Sequence, residues 1–259
     1  AADGGIITAS AHWDNPSGNL AGHWDLCRGN LGYDNSLSAY EQAFTDLLTE
    51  GTEYNDFFKN ELEANARFFK ALEDNGVQII WRPLHEAAGN YNLYGPNGAW
   101  FWWGRHGAEP CKQLWRLLYD QLVNVYGLDN LIWVWTVDVT RGAEDQYLDW
   151  YPGDEYVDIV GVDIYESNTD AKERQYQALV DMTKGKKLVT ISECGNIPDP
   201  KKCMEAGNKW SWFMVWCTTD SSGNLALNTP DWSHNTLDHW KSVMGGPYVI
   251  NREDMPSLK

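Results

Sequence analysis

Two short stretches carry the groups that could do chemistry. Residues 81–86 read WRPLHE and residues 188–195 read LVTISECG. In each, an apolar, strand-favouring run ends abruptly in charge: Arg82, His85 and Glu86 in the first, Glu193 in the second. Two glutamates at such positions suit glycoside hydrolysis, in which one carboxyl protonates the leaving oxygen while the other attacks the anomeric carbon or activates water. Other apolar runs end in similar groups. His12, Trp13 and Asp14 follow the first, Trp135 and Asp138 close LIWVWTVD, Asp163 and Tyr165 close VDIVGVDIY, and Trp216 lies in WFMVWCT.

These residues need elements to position them. Strand-like runs at 5–12, 77–84, 131–138, 157–165, 187–194 and 212–218 alternate with helical patterns at 57–76, 111–127, 143–151, 171–185 and 236–244. In the helix over 57–76, Phe58, Leu62, Phe69 and Leu72 form one stripe, with Gly76 as the stop. In that over 111–127, Leu114, Leu118, Leu122 and Val125 share a face. The strands are continuous apolar runs rather than alternating ones, as expected when helices cover both faces of a parallel sheet. Repeated βα units of this size predict an α/β fold, a (β/α)8 TIM barrel, whose reactive residues stand at the C-terminal strand ends. A doubly wound nucleotide-binding sheet is disfavoured, since no strand is followed by GxGxxG and there is no P-loop. A closed barrel needs eight strands and six are counted. The expectation is one catalytic domain over 1–259, with the first two βα units absent from the chain. No internal boundary, repeat or low-complexity tract divides it.

Composition narrows the partners. The 259 residues carry a formal net charge of −17, which repels nucleic acid and anionic membranes but leaves a neutral ligand unaffected. No run approaches the roughly 18 apolar residues of a membrane span. The opening AADGGIITAS has neither a basic start nor a useful apolar stretch, and a mature secreted chain reads the same way. Fifteen Trp and thirteen Tyr are the unusual numbers. Many pack in the core, but aromatics in polar loops and at strand ends, such as Trp13, Trp24, Trp100 and Trp216, are good platforms for the C–H faces of sugars. Trp102 and Trp103 read as packing. None of the five cysteines has CxxC spacing. Cys194 and Cys203 bracket one loop and could pair, or all five could be reduced. HEAAG lacks the second histidine of HExxH, which disfavours a metalloprotease, and Asp14, Asp138 and Asp154 show no metal-ligand spacing; no metal and no cofactor is expected.

WRPLHE, WFWWG at 100–104, GVDIY at 161–165 and ISECG at 191–195, with SAHWDNP at 10–16, together resemble glycoside hydrolase family 26. The resemblance runs from about residue 5 to residue 220 and is specific in the order and spacing of five segments. It implies a retaining barrel hydrolase of the β-1,4-mannanase type, with the acid/base after strand four and the nucleophile after strand seven. That numbering agrees with a strand count shifted by two. By this resemblance Glu86 is the acid/base and Glu193 the nucleophile. His85 stands near the nucleophile, and Tyr165 hydrogen-bonds it. Arg82 and Asp163 support the reactive subsite, and His12, Trp24, Trp100 and Trp216 contact sugar. Two features depart from the family pattern. The segment AAGNYNLYGPNGA between Glu86 and Trp100 is long, and Cys217 stands where some relatives carry arginine.

Residues and resemblance together imply a secreted, monomeric endo-β-1,4-mannanase acting on mannan, glucomannan or galactomannan by double displacement. Its partner is a neutral β-linked polysaccharide or manno-oligosaccharide. A β-1,3-1,4-glucanase or β-1,3-xylanase on the same scaffold is the nearest alternative. A non-catalytic carbohydrate-binding protein would keep the aromatics but would not need two carboxylates at opposed strand ends.

Overall fold

The computed structural model describes residues 5–13, 37–89, 91, 95, 99, 101–138, 147–216 and 235–255. Their contacts divide the chain into two units, Ile6–Ile159 and one built on Val160–Lys259.

In the first unit, β1 (Ile7–Ser10), β2 (Ile79–Arg82) and β3 (Leu131–Asp138) pair in parallel, with Ser10 opposite Arg82 and Trp81 opposite Trp133. The connections carry α1 (Leu37–Leu48), α2 (Glu53–Glu73) and α3 (Ala108–Tyr119), and α4 (Tyr147–Trp150) follows β3. β3 buries nearly every residue, as the unbroken apolar run requires. β1 alternates half-buried with exposed residues instead.

Helix α2 starts four residues before the sequence pattern because Thr52 caps it, its hydroxyl accepting from the Asn55 amide N at 3.2 Å. Phe58, Leu62, Ala66 and Phe69 are its buried stripe, each large side chain contributing about 1.5–3 kcal/mol on burial. Phe58 meets Trp13 edge-on at 5.9 Å and Phe69 meets Trp81 at 4.9 Å, so the helix packs on the residues that lead into the site. The expected face of the next helix fails at one position. Leu114, Leu118 and Leu122 are buried, but Val125 is 60% exposed. Past Tyr119 the helix widens into a π turn over Asp120–Val125. A wider turn takes more residues per revolution, so the fourth stripe position rotates outward.

The second unit holds β4 (Ile159–Ile164), β5 (Leu188–Cys194) and β6 (Phe213–Val215), which lie side by side in that order, β5 and β6 pairing in parallel. Helices α5 (Glu173–Thr183), α6 (Pro200–Ala206) and α7 (Leu237–Met244) accompany them. β4 is buried throughout and β5 everywhere but Leu188. Helix α6 was not expected from periodicity. Its signal is local: Asp199 caps it by accepting from the Lys201 amide N at 2.9 Å, Pro200 opens it and Gly207 closes it. Cys111, Cys194 and Cys203 are buried free thiols, so Cys194 and Cys203 do not pair. Cys27 and Cys217 lie outside the described residues. No described helix is long and apolar enough to cross a membrane.

Candidate active site

The end of β2 is shaped by backbone constraint. Pro83 cannot donate to the ladder, and Leu84 (φ 46°) and Glu86 (φ 52°) adopt the left-handed region, which side chains with a Cβ seldom enter. The chain therefore leaves the sheet in two sharp reversals. Strained backbone persists only where its surroundings over-determine it, and here they do. The Glu86 amide N donates to the Thr136 carbonyl on β3 at 3.1 Å, and the Glu86 carbonyl accepts from Gly89 at 3.0 Å. The Trp103 indole donates to the His85 carbonyl at 2.9 Å. Gly104 packs against the next residue so closely that a Cβ on it would stand 1.7 Å from the Ala87 carbonyl oxygen. Glu86 itself remains partly exposed.

His85 is 2% exposed. Its ring meets His12 edge-on at 4.8 Å and tilts against Phe101 at 4.9 Å. Phe101 in turn stacks on Trp103 at 4.4 Å. Burial above all, then the Arg82 and His12 charges, pushes His85 well below the ordinary imidazole range. The ring is therefore neutral at pH 7 and can present one N–H donor. Trp102 and Trp103 are core side chains, as their packing role anticipates. Trp102 donates from its indole to the Trp13 carbonyl at 2.8 Å, and so holds the end of the first strand run.

The end of β5 is held by polar side chains. Glu193 is buried, and the Tyr165 hydroxyl donates to its Oε2 at 2.6 Å. Tyr165 itself is 53% exposed. The Gly195 amide N donates to the Ile164 carbonyl at 3.3 Å and the Trp216 amide N to the Cys194 carbonyl at 3.1 Å, so the residues around Glu193 are tied to both neighbouring strands. Buried Asn235 then clamps the chain leaving β5. Its Oδ1 accepts from the Ile197 amide N at 2.8 Å, and its Nδ2 donates to the Gly195 carbonyl at 2.6 Å. Asp163 is buried near the same strand end. Burial and the nearby Asp163 charge push the Cys194 thiol up to about 12, so it is inert as a nucleophile.

The structure thus brings His12 to His85 in the first unit and Tyr165 to Glu193 in the second. Arg82 is buried at the end of β2, and Trp216 is partly exposed just past β6. Trp24 and Trp100 lie outside the described residues. Sequence reasoning passed over Thr136, Gly104 and Asn235 as positioning residues. Gly104, which closes WFWWG, was the legible one, because a glycine after four bulky aromatics marks a close approach. Asn235 had no local signal, being 40 residues from Gly195. Chemically, the first unit offers a partly exposed carboxyl next in sequence to a buried, neutral imidazole, and the second a carboxylate fixed in orientation by a phenol.

Known proteins share this arrangement of strands and motifs. A family model for glycosyl hydrolase family 26 matches residues 1–254. A mannan endo-1,4-beta-mannosidase of Thermothelomyces thermophilus is 34% identical over 97% of this chain, which spans 46% of that protein. Mannan endo-1,4-beta-mannosidase B of Piromyces sp is 33% identical over 98% of the chain, which spans 38% of it. The chain therefore covers less than half the length of these curated relatives. Among solved structures, a beta-mannanase from a symbiotic protist of the termite Reticulitermes speratus, complexed with gluco-manno-oligosaccharide, superposes with a TM-score of 0.77 at 32% identity, covering 98% of this chain and 69% of that one. A ruminal endo-beta-1,4-mannanase of the same family gives 0.80 at 31% identity, covering 99% and 53%. The fold is accordingly that of the (β/α)8 barrel, represented by six strands in the described residues. With strand-end glutamates set in WRPLHE and ISECG, and a family match running almost from end to end, the chain belongs to glycosyl hydrolase family 26.

Proposed function

We propose that the protein is an endo-β-1,4-mannanase that cleaves internal bonds of mannan or glucomannan with retention, using Glu86 as acid/base and Glu193 as nucleophile. The observation that carries this reading is the buried Glu193 carboxylate, oriented at a barrel-strand end by the 2.6 Å Tyr165 hydrogen bond. An attacking carboxylate must stand in one position relative to the anomeric carbon, and effective molarity is lost when it does not. Family membership and mannanase relatives across the chain supply the substrate class.

In the first step Glu193 attacks the anomeric carbon and Glu86 gives its proton to the leaving oxygen. In the second, with the Glu193 charge consumed in the ester, Glu86 takes a proton from water, which displaces the carboxylate. No metal or cofactor enters either step. His12, Trp24, Trp100 and Trp216 are read as sugar contacts, and Arg82, His85 and Asp163 as the polar frame of the reactive subsite. A polysaccharide is too large to enter a cell intact, which supports a secreted enzyme, and we read it as a monomer. Activity in the culture medium and a light-scattering mass test those two points.

The central experiment is Glu193→Ala, assayed on mannan, glucomannan, lichenan and xylan beside the parent. The parent should release reducing sugar from the first two, and the variant from none. Azide should partly restore turnover of an activated aryl mannoside, giving a product of inverted configuration. Full activity in Glu193→Ala ends the assignment. A parent that prefers lichenan or xylan moves the substrate to the glucanase or xylanase alternative.

A further inference from the structure

We propose that the ion pair of buried Lys172 with partly exposed Glu166 is a positioning device for Tyr165, setting the phenol that orients Glu193. The proposal rests on the reading above that Glu193 is the nucleophile. Lys172 has a side chain only 1% exposed, and its Nζ lies 3.0 Å from Glu166 Oε2. Its other two donors go to the Asn168 carbonyl at 3.1 Å and to Asn168 Oδ1. Glu166 Oε1 accepts from Gln175 Nε2 at 2.9 Å. An ammonium has three donors, and all three are used within one turn of chain that begins at the residue after Tyr165.

The rest of that turn is fastened as well. The Ala171 carbonyl accepts from Asn208 Nδ2 at 2.7 Å and from the Trp210 indole at 3.3 Å, and the Thr169 carbonyl accepts from the Asp199 amide N at 2.9 Å. Lys172 holds its place at the cost of a left-handed backbone, φ 59°. Burial works against the Glu166 carboxylate, but Lys172, Gln175 and Asn168 outweigh it and hold the group below the ordinary range.

Stability is a poor explanation for this arrangement. Lys172 is buried and Glu166 keeps a quarter of its side chain exposed, and replacing such a largely desolvated pair by uncharged groups of similar size is often neutral or stabilising. What the pair does control is the exit of the chain from β4. Tyr165 is more than half exposed, so its ring cannot be fixed by burial. Its backbone follows directly from β4 and runs directly into the Lys172–Glu166–Asn168 turn. A loosened turn would let the phenol swing away and take from the Glu193 carboxylate the hydrogen bond at its Oε2.

The test replaces both charges at once, Lys172→Met with Glu166→Gln, which avoids stranding one buried ion and keeps a partner for Gln175. Thermal melting should stay within a few degrees of the parent. On glucomannan kcat should fall about tenfold or more with KM within twofold, because a misoriented nucleophile slows chemistry without weakening sugar binding. In a Tyr165→Phe background the same pair of changes should cost little more, since the phenol they position is already gone. A folded double variant with parental kcat overturns the proposal, as do losses that multiply independently of Tyr165→Phe. If the double variant does not fold, Glu166→Gln alone is read by the same kcat-against-KM split and the same cycle. Glu193→Ala, run in parallel, separates the two levels: retained activity there removes the nucleophile reading itself, whereas an inactive Glu193→Ala beside a fully active double variant removes this inference alone.

Discussion

The strand ends that carry Glu86 and Glu193 are held by opposite means. At β2 the constraint is steric and lies in the backbone: two left-handed residues, a proline, a glycine pressed on the Ala87 carbonyl, and stacked aromatics beneath His85. At β5 it is polar and lies in side chains: the Tyr165 phenol and the Asn235 amide. The difference matches the work each carboxyl is read to do. An acid/base must exchange protons with a leaving group and then with water, which fits the partial exposure of Glu86 on a fixed framework. A nucleophile must hold one orientation, which directional hydrogen bonds give and packing alone does not.

That contrast can be broken experimentally, beginning at β2. Glu86→Ala should lower kcat by about 10²–10⁴ on polysaccharide, and far less on a substrate whose leaving group needs no proton. Equal losses on both would show that Glu86 is not the proton donor. Gly104→Ala tests the steric side. Its methyl cannot coexist with the Ala87 carbonyl at 1.7 Å, so melting should show a loss of about 1–3 kcal/mol. A displacement of about 1 Å at the neighbouring Glu86 should cost the folded protein on the order of 10²-fold in kcat. Parental values would mean that the β2 end is not sterically set. Asn235→Ala tests the polar side. It leaves the Ile197 amide N and the Gly195 carbonyl without their partner, a cost of about 1–3 kcal/mol, with a kcat loss smaller than that of Gly104→Ala because Tyr165 still holds Glu193.

The smallest effect concerns pH and belongs to the first unit. His106 packs on Phe44 at 4.4 Å, and burial, then the Arg105 charge, lowers it from 6.5 to about 4. Its proton is taken up near pH 6.5 in the unfolded chain but only near 4 in the folded one, so acid favours unfolding between those values. The stability in question is complete above about pH 6.5 and is lost as pH falls towards 4. His85, lowered well below its usual value, acts in the same direction. His106→Phe should flatten the decline of melting temperature with acidity, and an unchanged slope would rule His106 out as a contributor.

Much of this was legible in the chain. Apolar runs located the six strands of the described residues; β3, β4 and β5 are buried almost throughout, as strands covered on both faces should be, whereas β1 and β6 are only partly buried. The glutamates stood out through their setting in WRPLHE and ISECG, since a lone carboxylate after a strand is more often a surface or paired group. Boundaries were less legible. Thr52 lengthened α2 at its start, the π turn after Tyr119 turned Val125 outward, and α6 was too short for periodicity to register. The Tyr165–Glu193 contact was anticipated through family resemblance and is present, whereas a Cys194–Cys203 pair was possible on spacing and does not form.

The order of residues, then, pointed to the class of fold and to candidate reactive glutamates, since these depend on local patterns of apolarity and charge, while the resemblance of five motifs pointed to the family. Only the tertiary structure decided how those residues are held. The Thr136 carbonyl receiving the Glu86 amide, Gly104 against Ala87, and Asn235 bridging Gly195 and Ile197 join positions 17 to 50 residues apart. Contacts of that range depend on where the chain returns in space, and no window of sequence records it.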